Sequence, residues 1–180
     1  MNKIWIPLFS HTGSEVANLL QMQSVVPHLI LSNSRESKLV NCGVRDFTSF
    51  LSTQDINEVL REFPKIHPND KLIFTLHGYM NIIQPEALEA PNAEFYNVHP
   101  GDIVKYPELR GKDPQAKALN LKLPTTGVVI HKVDEGIDTG EVLLREEYKI
   151  NEDITLDQLI IDLRNISIRM WLRFMREKFN

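Results

Sequence analysis

A single cysteine, Cys42, stands in a chain of 180 residues. One thiol rules out an internal disulfide framework and a cysteine-built zinc cluster, and suits a reducing compartment. Although 42% of the residues are apolar, no run approaches the roughly 18 needed to cross a bilayer. The amino terminus has no signal-peptide core. With a net charge of −4 and no basic cluster ahead of the carboxyl end, the sequence carries no nucleic-acid footprint. Walker-type loops and Gly-x-Gly-x-x-Gly are both missing, so nucleoside triphosphates and nicotinamides have no motif behind them. Repeats, low-complexity stretches and linkers are absent as well. These gaps leave a soluble cytoplasmic protein, without a metal centre, forming one domain over residues 1–180.

The elements that are present alternate. Lys3 to Phe9 is an apolar run of strand length, and Ser10-His11-Thr12-Gly13-Ser14 breaks it before the helical spacing of Val16, Leu19 and Leu20. A glycine turn opening a helix is either a tight connection or a place where backbone N–H groups meet an anion. His28 to Leu31 is a second strand, and a third falls around Leu39-Val40, with a loop at Cys42-Gly43. Thr53 caps a helix carrying Ile56, Val59, Leu60 and Phe63, which Pro64 ends. Leu72 to Leu76 is a buried parallel strand. Val128 to Val133 is β-branched, with Glu141 to Leu144 its antiparallel neighbour. From Asp153 to Phe179 the apolar spacing of three and four predicts one long amphipathic helix with a solvated face bearing arginines 164, 169, 173 and 176. Its apolar stripe covers the sheet or contributes to a homodimer contact. The pattern is α/β, doubly wound, with a mostly parallel sheet and a long C-terminal helix.

Chemistry concentrates at Phe95 to Pro100. Asn97 and His99 are two residues apart on a strand, so both side chains take one face, and Pro100 puts them at the strand's carboxyl end, where open α/β sheets build sites. About forty residues later, Asp134 and Asp138 lie in a loop punctuated by Gly136 and Gly140, from which a carboxylate can reach that pair. Asn97 is suited to donating a hydrogen bond to an oxyanion, and His99 to moving a proton, with a carboxylate orienting it and raising its pKa. His131, on the strand leading into that loop, is either structural or part of the site.

Asn97-Val98-His99-Pro100, Lys105-Tyr106-Pro107 and Gly136-Ile137-Asp138-Thr139-Gly140 resemble, in order and spacing, the signature of the folate-dependent formyltransferases. That group acts on glycinamide ribonucleotide, methionyl-tRNA and nucleotide-linked amino sugars. Arg110 to Pro114 with Ala118-Leu119 is similar to the methionyl-tRNA and sugar branch, and His77 to Pro85 to the glycinamide ribonucleotide branch. The resemblance runs from about residue 3 to about residue 145. It implies a Rossmann-like formyltransferase fold and formyl transfer from 10-formyltetrahydrofolate to an amine, with Asn97, His99 and Asp138 catalytic. Asp138 takes precedence over Asp134 because it holds the family's Gly-x-Asp-x-Gly position. The folate pterin is implied to lie along Tyr79, Met80, Asn81, Ile82 and Ile83, and the acceptor at Thr12, Gly13 and Ser14.

Two departures shape the acceptor. Glu15 stands where the glycinamide ribonucleotide branch carries Asn beside a phosphate, and suits an amine better. His77 replaces a small residue, with no role evident from sequence. The extra C-terminal domain of methionyl-tRNA formyltransferases has no counterpart after the last helix, so a small amine is expected in place of a nucleic acid. The alternatives are a formyltetrahydrofolate deformylase, with water replacing the amine, and a folate-binding protein without turnover.

Overall fold

The structure, a computed structural model, describes residues 2–22, 25–34 and 48–179. Strands and helices alternate as β1 (Lys3–Phe9), α1 (Ser14–Met22), β2 (Ile30–Ser32), β3 (Thr48–Phe50), α2 (Thr53–Ile66), β4 (Lys71–Leu76), α3 (Pro85–Leu88), β5 (Ala93–His99), α4 (Pro114–Asn120), β6 (Thr125–Lys132), β7 (Val142–Lys149) and α5 (Leu156–Phe179). The strand order is β3-β2-β1-β4-β5-β6-β7, and the chain divides into two compact units, residues 1–97 with 179–180 and residues 98–178. The expected strand at Leu39-Val40 and loop at Cys42-Gly43 lie outside the described residues; β3 is found at Thr48–Phe50.

In the first unit, β1 pairs in parallel with both β2 and β4, β2 with β3, and β4 with β5. The apolar composition of β1 and β4 follows from burial: Trp5, Ile6, Leu8 and Phe9 on one strand and Leu72, Ile73, Phe74 and Leu76 on the other are all buried. Phe74 and Phe95 stack at 4.5 Å across β4 and β5. Because the chain leaves β1 toward β2 and returns on its other side as β4, the direction of winding switches between β1 and β4.

The bounds of α2 differ from expectation at both ends. Ser52, not Thr53, is the N-cap, its Oγ accepting from the Asp55 N–H at 3.1 Å, while the Thr53 hydroxyl accepts from Asn33 Nδ2. Pro64 lies inside the helix, which continues to Ile66. The hydrogen bond that proline forfeits falls in the last turn, and its buried ring packs there while its carbonyl accepts from Asn92 Nδ2 at 3.1 Å.

In the second unit, β6 and β7 form an antiparallel hairpin with an irregularity between Ile130 and His131. Leu159, Leu163, Ile166, Met170, Trp171 and Phe174 of α5 are buried, and the arginines at 164, 169, 173 and 176 are exposed. Arg169 reaches Glu146 of β7 at 2.8 Å, so this amphipathic helix has the solvated face its spacing predicts. One helix in this unit, α4, is not signalled by apolar periodicity. It begins at Pro114, after Asp113 in a left-handed conformation, where proline's fixed φ suits a first helical position.

Candidate active site

Strand β5 ends at His99, and Asn97, half-buried, precedes it by one strand period. The imidazole of His99 is 6% exposed, and its neighbours in the second unit set its chemistry. Nε2 lies 2.8 Å from the carbonyl of Leu109. A carbonyl only accepts, so Nε2 carries the hydrogen and, in the neutral ring, Nδ1 carries the lone pair. That nitrogen lies 3.2 Å from Asp138 Oδ2. Close packing fixes the ring: a Cβ added at Gly101 would stand 2.9 Å from His99 Nε2 and from Pro114 Cβ, so any larger residue there would displace the imidazole.

His131 approaches the other carboxylate oxygen: its Nδ1 lies 2.7 Å from the carbonyl of Lys132 and its Nε2 3.3 Å from Asp138 Oδ1. One carboxylate thus has a buried imidazole on each oxygen, and Gly111 N–H donates to Oδ2 at 2.9 Å. Gly111 can present that N–H because it adopts a φ of 77°, open to glycine at no steric cost. Asp138 itself sits at a φ of 53°, a conformation that costs a non-glycine residue roughly 1–2 kcal/mol. The loop ends held by β6 and β7 impose it.

Burial pushes the His99 pKa down; the Asp138 charge and the Leu109 carbonyl pull it up, and His131 and Lys117 add to the lowering. The net direction is downward. Asp138 pulls it upward, as expected of a carboxylate beside the ring, but loss of water around the imidazole outweighs that pull. For Asp138, burial opposes ionisation but is overcome by the His131 hydrogen bond, the His99 charge and the Gly111 N–H, bringing its pKa down to about 2. The carboxylate is therefore ionised at neutral pH. Asp134, the competing carboxylate, accepts from Gly136 N–H at 3.1 Å and from the Thr139 hydroxyl at 2.7 Å, which makes it a staple of its own loop.

Sequence reasoning left His131 open and missed Leu109 and Gly111 altogether, because both act through main-chain groups. The signal for Gly111 was its place in Arg110-Gly111-Lys112; Leu109 had none. Among the described residues, no group of three or more His, Cys, Asp or Glu is arranged to hold a metal ion. No helix there is long and apolar enough to cross a membrane.

In the first unit, the residues expected to line a pterin slot follow β4. Tyr79 and Ile83 are buried, Asn81 is half-buried, and Met80 and Ile82 are 54% and 64% exposed. Met80 N–H donates to Ser10 Oγ at 2.9 Å and Ser10 N–H to the Gly78 carbonyl at 3.3 Å, so this loop and the one after β1 are tied together. Burial pushes the Tyr79 hydroxyl up to about 12, against a smaller opposing effect of Asn81. Ile82 and Ile83 lie in the loop itself, and the helix that follows is the four-residue α3, whose first turn is set by Pro85. At the other loop, Thr12 is exposed, Gly13 buried and Ser14 half-buried. The Thr12 hydroxyl donates to Ser14 Oγ at 3.0 Å.

Residues 46–172 match the formyl transferase family model. The chain belongs to the formyl transferase family. This formyl transferase chain is 31% identical over 87 residues to the phosphoribosylglycinamide formyltransferase of Bacillus subtilis, covering 48% of this chain and 43% of that protein. It is likewise 31% identical over 147 residues to a methionyl-tRNA formyltransferase of Prochlorococcus marinus, covering 78% of this chain and 43% of that protein. It thus spans about two fifths of the length of these curated relatives. The crystal structure of the phosphoribosylglycinamide formyltransferase of Streptococcus pneumoniae superposes with a TM-score of 0.82 at 23% identity, covering 100% of both chains. The α/β fold with a mixed, mostly parallel seven-stranded sheet and a long C-terminal helix is therefore that of this family.

Proposed function

We propose that this formyl transferase chain moves the formyl group of 10-formyltetrahydrofolate to the primary amine of a small acceptor, either glycinamide ribonucleotide or a nucleotide-linked amino sugar. The observation that carries the reading is the convergence of His99 Nδ1 and Asp138 Oδ2. With the His99 proton held on Nε2 by Leu109, two lone pairs face each other across 3.2 Å. That arrangement is relieved by a proton or by an N–H donor, and an attacking amine supplies both in turn. As the amine nitrogen bonds to the formyl carbon, His99 Nδ1 takes its proton, and Asp138 stabilises the imidazolium that forms. The proton then goes to the departing folate nitrogen as the old C–N bond breaks. A lowered pKa keeps His99 neutral, ready to act as the base.

Asn97, one strand period earlier, donates its amide hydrogen to the oxygen on which negative charge develops. Such a donor is typically worth about 2.7–4 kcal/mol in the transition state. No protein nucleophile is required. The exposed apolar side chains of Met80 and Ile82, beside buried Tyr79 and Ile83, offer the flat apolar wall that a pterin needs, with Asn81 as a polar neighbour. Thr12, Gly13 and Ser14 are assigned to the acceptor.

The test is single-turnover transfer from 10-formyltetrahydrofolate, followed by folate absorbance, with glycinamide ribonucleotide, with nucleotide-linked amino sugars and with no amine. Transfer that requires an amine is expected. Formate release at equal rate without one would replace the reading with hydrolysis, and folate binding with no reaction in any pool would leave only a binding protein.

A further inference from the structure

Four side chains of the first unit form an unbroken line of hydrogen bonds that the proposed chemistry does not use. Trp5 Nε1 on β1 donates to Thr75 Oγ1 on β4 at 2.7 Å. The same oxygen lies 2.8 Å from His77 Nε2, just past the end of β4, and His77 Nδ1 lies 2.7 Å from Glu15 Oε2 in the first turn of α1. The indole N–H can only donate and an ionised carboxylate can only accept, so the line has one direction. His77 gives its Nδ1 hydrogen to Glu15, and in the neutral ring Thr75 gives its hydroxyl hydrogen to Nε2. Trp5, Thr75 and His77 are buried, the His77 side chain completely, while the Glu15 side chain keeps 15% exposure. Of the four, the carboxylate is the end that meets solvent.

The place matters as much as the pair. Between β1 and β4 the winding of the sheet changes direction, and the crevice outside the carboxyl ends at such a point is where open α/β sheets hold their ligands. The loops after β1 and β4 meet there through Ser10, Gly78 and Met80. A helix that opens at such a point favours an anion. Here α1 brings its own: Glu15, in its first turn, complements the helix dipole, and a buried histidine holds the carboxylate in position. A phosphate arriving at this crevice meets a fixed negative charge, whereas a hydroxyl or an amine meets a hydrogen-bond acceptor.

We propose that Glu15, positioned by His77, is a specificity-determining residue of the acceptor site, selecting an amine whose end in this crevice carries O–H or N–H donors and rejecting one that carries a phosphate there. This rests on the formyl-transfer reading and deepens it. Of the two acceptor classes named above, it disfavours the ribonucleotide with its terminal phosphate and favours the amino sugar with its hydroxyls.

The test has a binding arm and a transfer arm. Inorganic phosphate and ribose 5-phosphate are titrated by calorimetry into the wild-type protein, Glu15→Gln, Glu15→Asn and His77→Gln, with tryptophan fluorescence checking that each variant is folded around Trp5. Transfer to glycinamide riboside is then compared with transfer to its 5′-phosphate. We expect wild type to bind the phosphates at least tenfold more weakly than the better-folded Glu15 variant, and His77→Gln, which keeps the carboxylate, to stay weak. The ratio of kcat/KM for the phosphorylated over the unphosphorylated acceptor should rise at least tenfold in that Glu15 variant. Equal phosphate affinity in wild type and the Glu15 variants would overturn the proposal, as would a wild-type preference for the phosphorylated acceptor. If no amine is formylated by any protein, the formyl-transfer reading fails, and phosphate binding alone still decides the role of Glu15.

Discussion

Asp138 sets its Oδ2 3.2 Å from the Nδ1 of His99, on the ring nitrogen left with a lone pair when Leu109 holds the other's hydrogen. Removing the imidazole removes the proposed base. His99→Ala should lower single-turnover formyl transfer by roughly 10²–10⁴-fold while folate still binds, as measured by stopped-flow absorbance and folate titration. Unchanged transfer would refute the assignment.

The pH profile follows from the direction of the His99 shift. Burial lowers its pKa, so the ring stays neutral into more acidic solution than an ordinary histidine. The acid limb of kcat/KM should then lie below the unperturbed value of about 6.5. Asp138→Asn removes the group that pulls this pKa upward, so its acid limb should move further down while the rate at pH 7 falls. Asparagine tolerates the left-handed conformation of Asp138, which separates loss of charge from loss of shape. An acid limb that moves upward in Asp138→Asn would contradict this account.

Acid stability reads the other partner. Asp138 is depressed from an ordinary 3.8 to about 2. A carboxyl group whose folded-state pKa is lowered stabilises the native protein above its unfolded value, and that stabilisation is lost as pH falls through the folded one. Wild type should lose stability relative to Asp138→Asn as pH drops from about 4 to about 2, and the two should differ most above that window. Urea denaturation at several pH values measures the gap. A constant gap would mean that the two imidazoles and Gly111 do not hold the charge.

What the sequence made legible was set by side-chain spacing. Asn97, His99 and Pro100 could be placed at a strand end because period-two alternation and proline's missing N–H are local properties, and β5 ends as expected at His99. The β1 and β4 strands and α5 were readable because burial on one or both faces writes itself into composition. Leu109 and Gly111 were not, since a carbonyl and an amide N–H look alike at every residue. The Glu15–His77 pair joins residues 62 positions apart in the chain, so each looked like an isolated departure until the fold brought them together. Thr53 was mistaken for the N-cap because Ser52 beside it has the same chemistry, and only backbone dihedrals distinguish them. The upward pull of Asp138 on His99 could be read from the motif, but the burial that outweighs it could not, because burial of the ring depends on Gly101, Pro114 and the chain folded around them.

A second ion pair in the same unit offers a stability test independent of catalysis. Asp102 is fully buried, and Arg145 on β7 grips it with two hydrogen bonds, Nε to Oδ1 at 2.9 Å and Nη2 to Oδ2 at 2.7 Å. Lys105 N–H adds a third contact at 3.3 Å. Arg145→Leu would strand a buried carboxylate with little compensation. Breaking a buried pair in this way costs about 3–5 kcal/mol. Because the Arg145 side chain is 39% exposed, solvent screens the guanidinium and can enter the space its removal opens, so the expected loss lies near the low end, about 3 kcal/mol. The companion Asp102→Leu/Arg145→Leu should recover much of that loss, because no unpaired charge is then left inside. Urea midpoints for the two proteins decide it: a double variant as unstable as Arg145→Leu would mean that the guanidinium stem's packing matters more than the charge it neutralises.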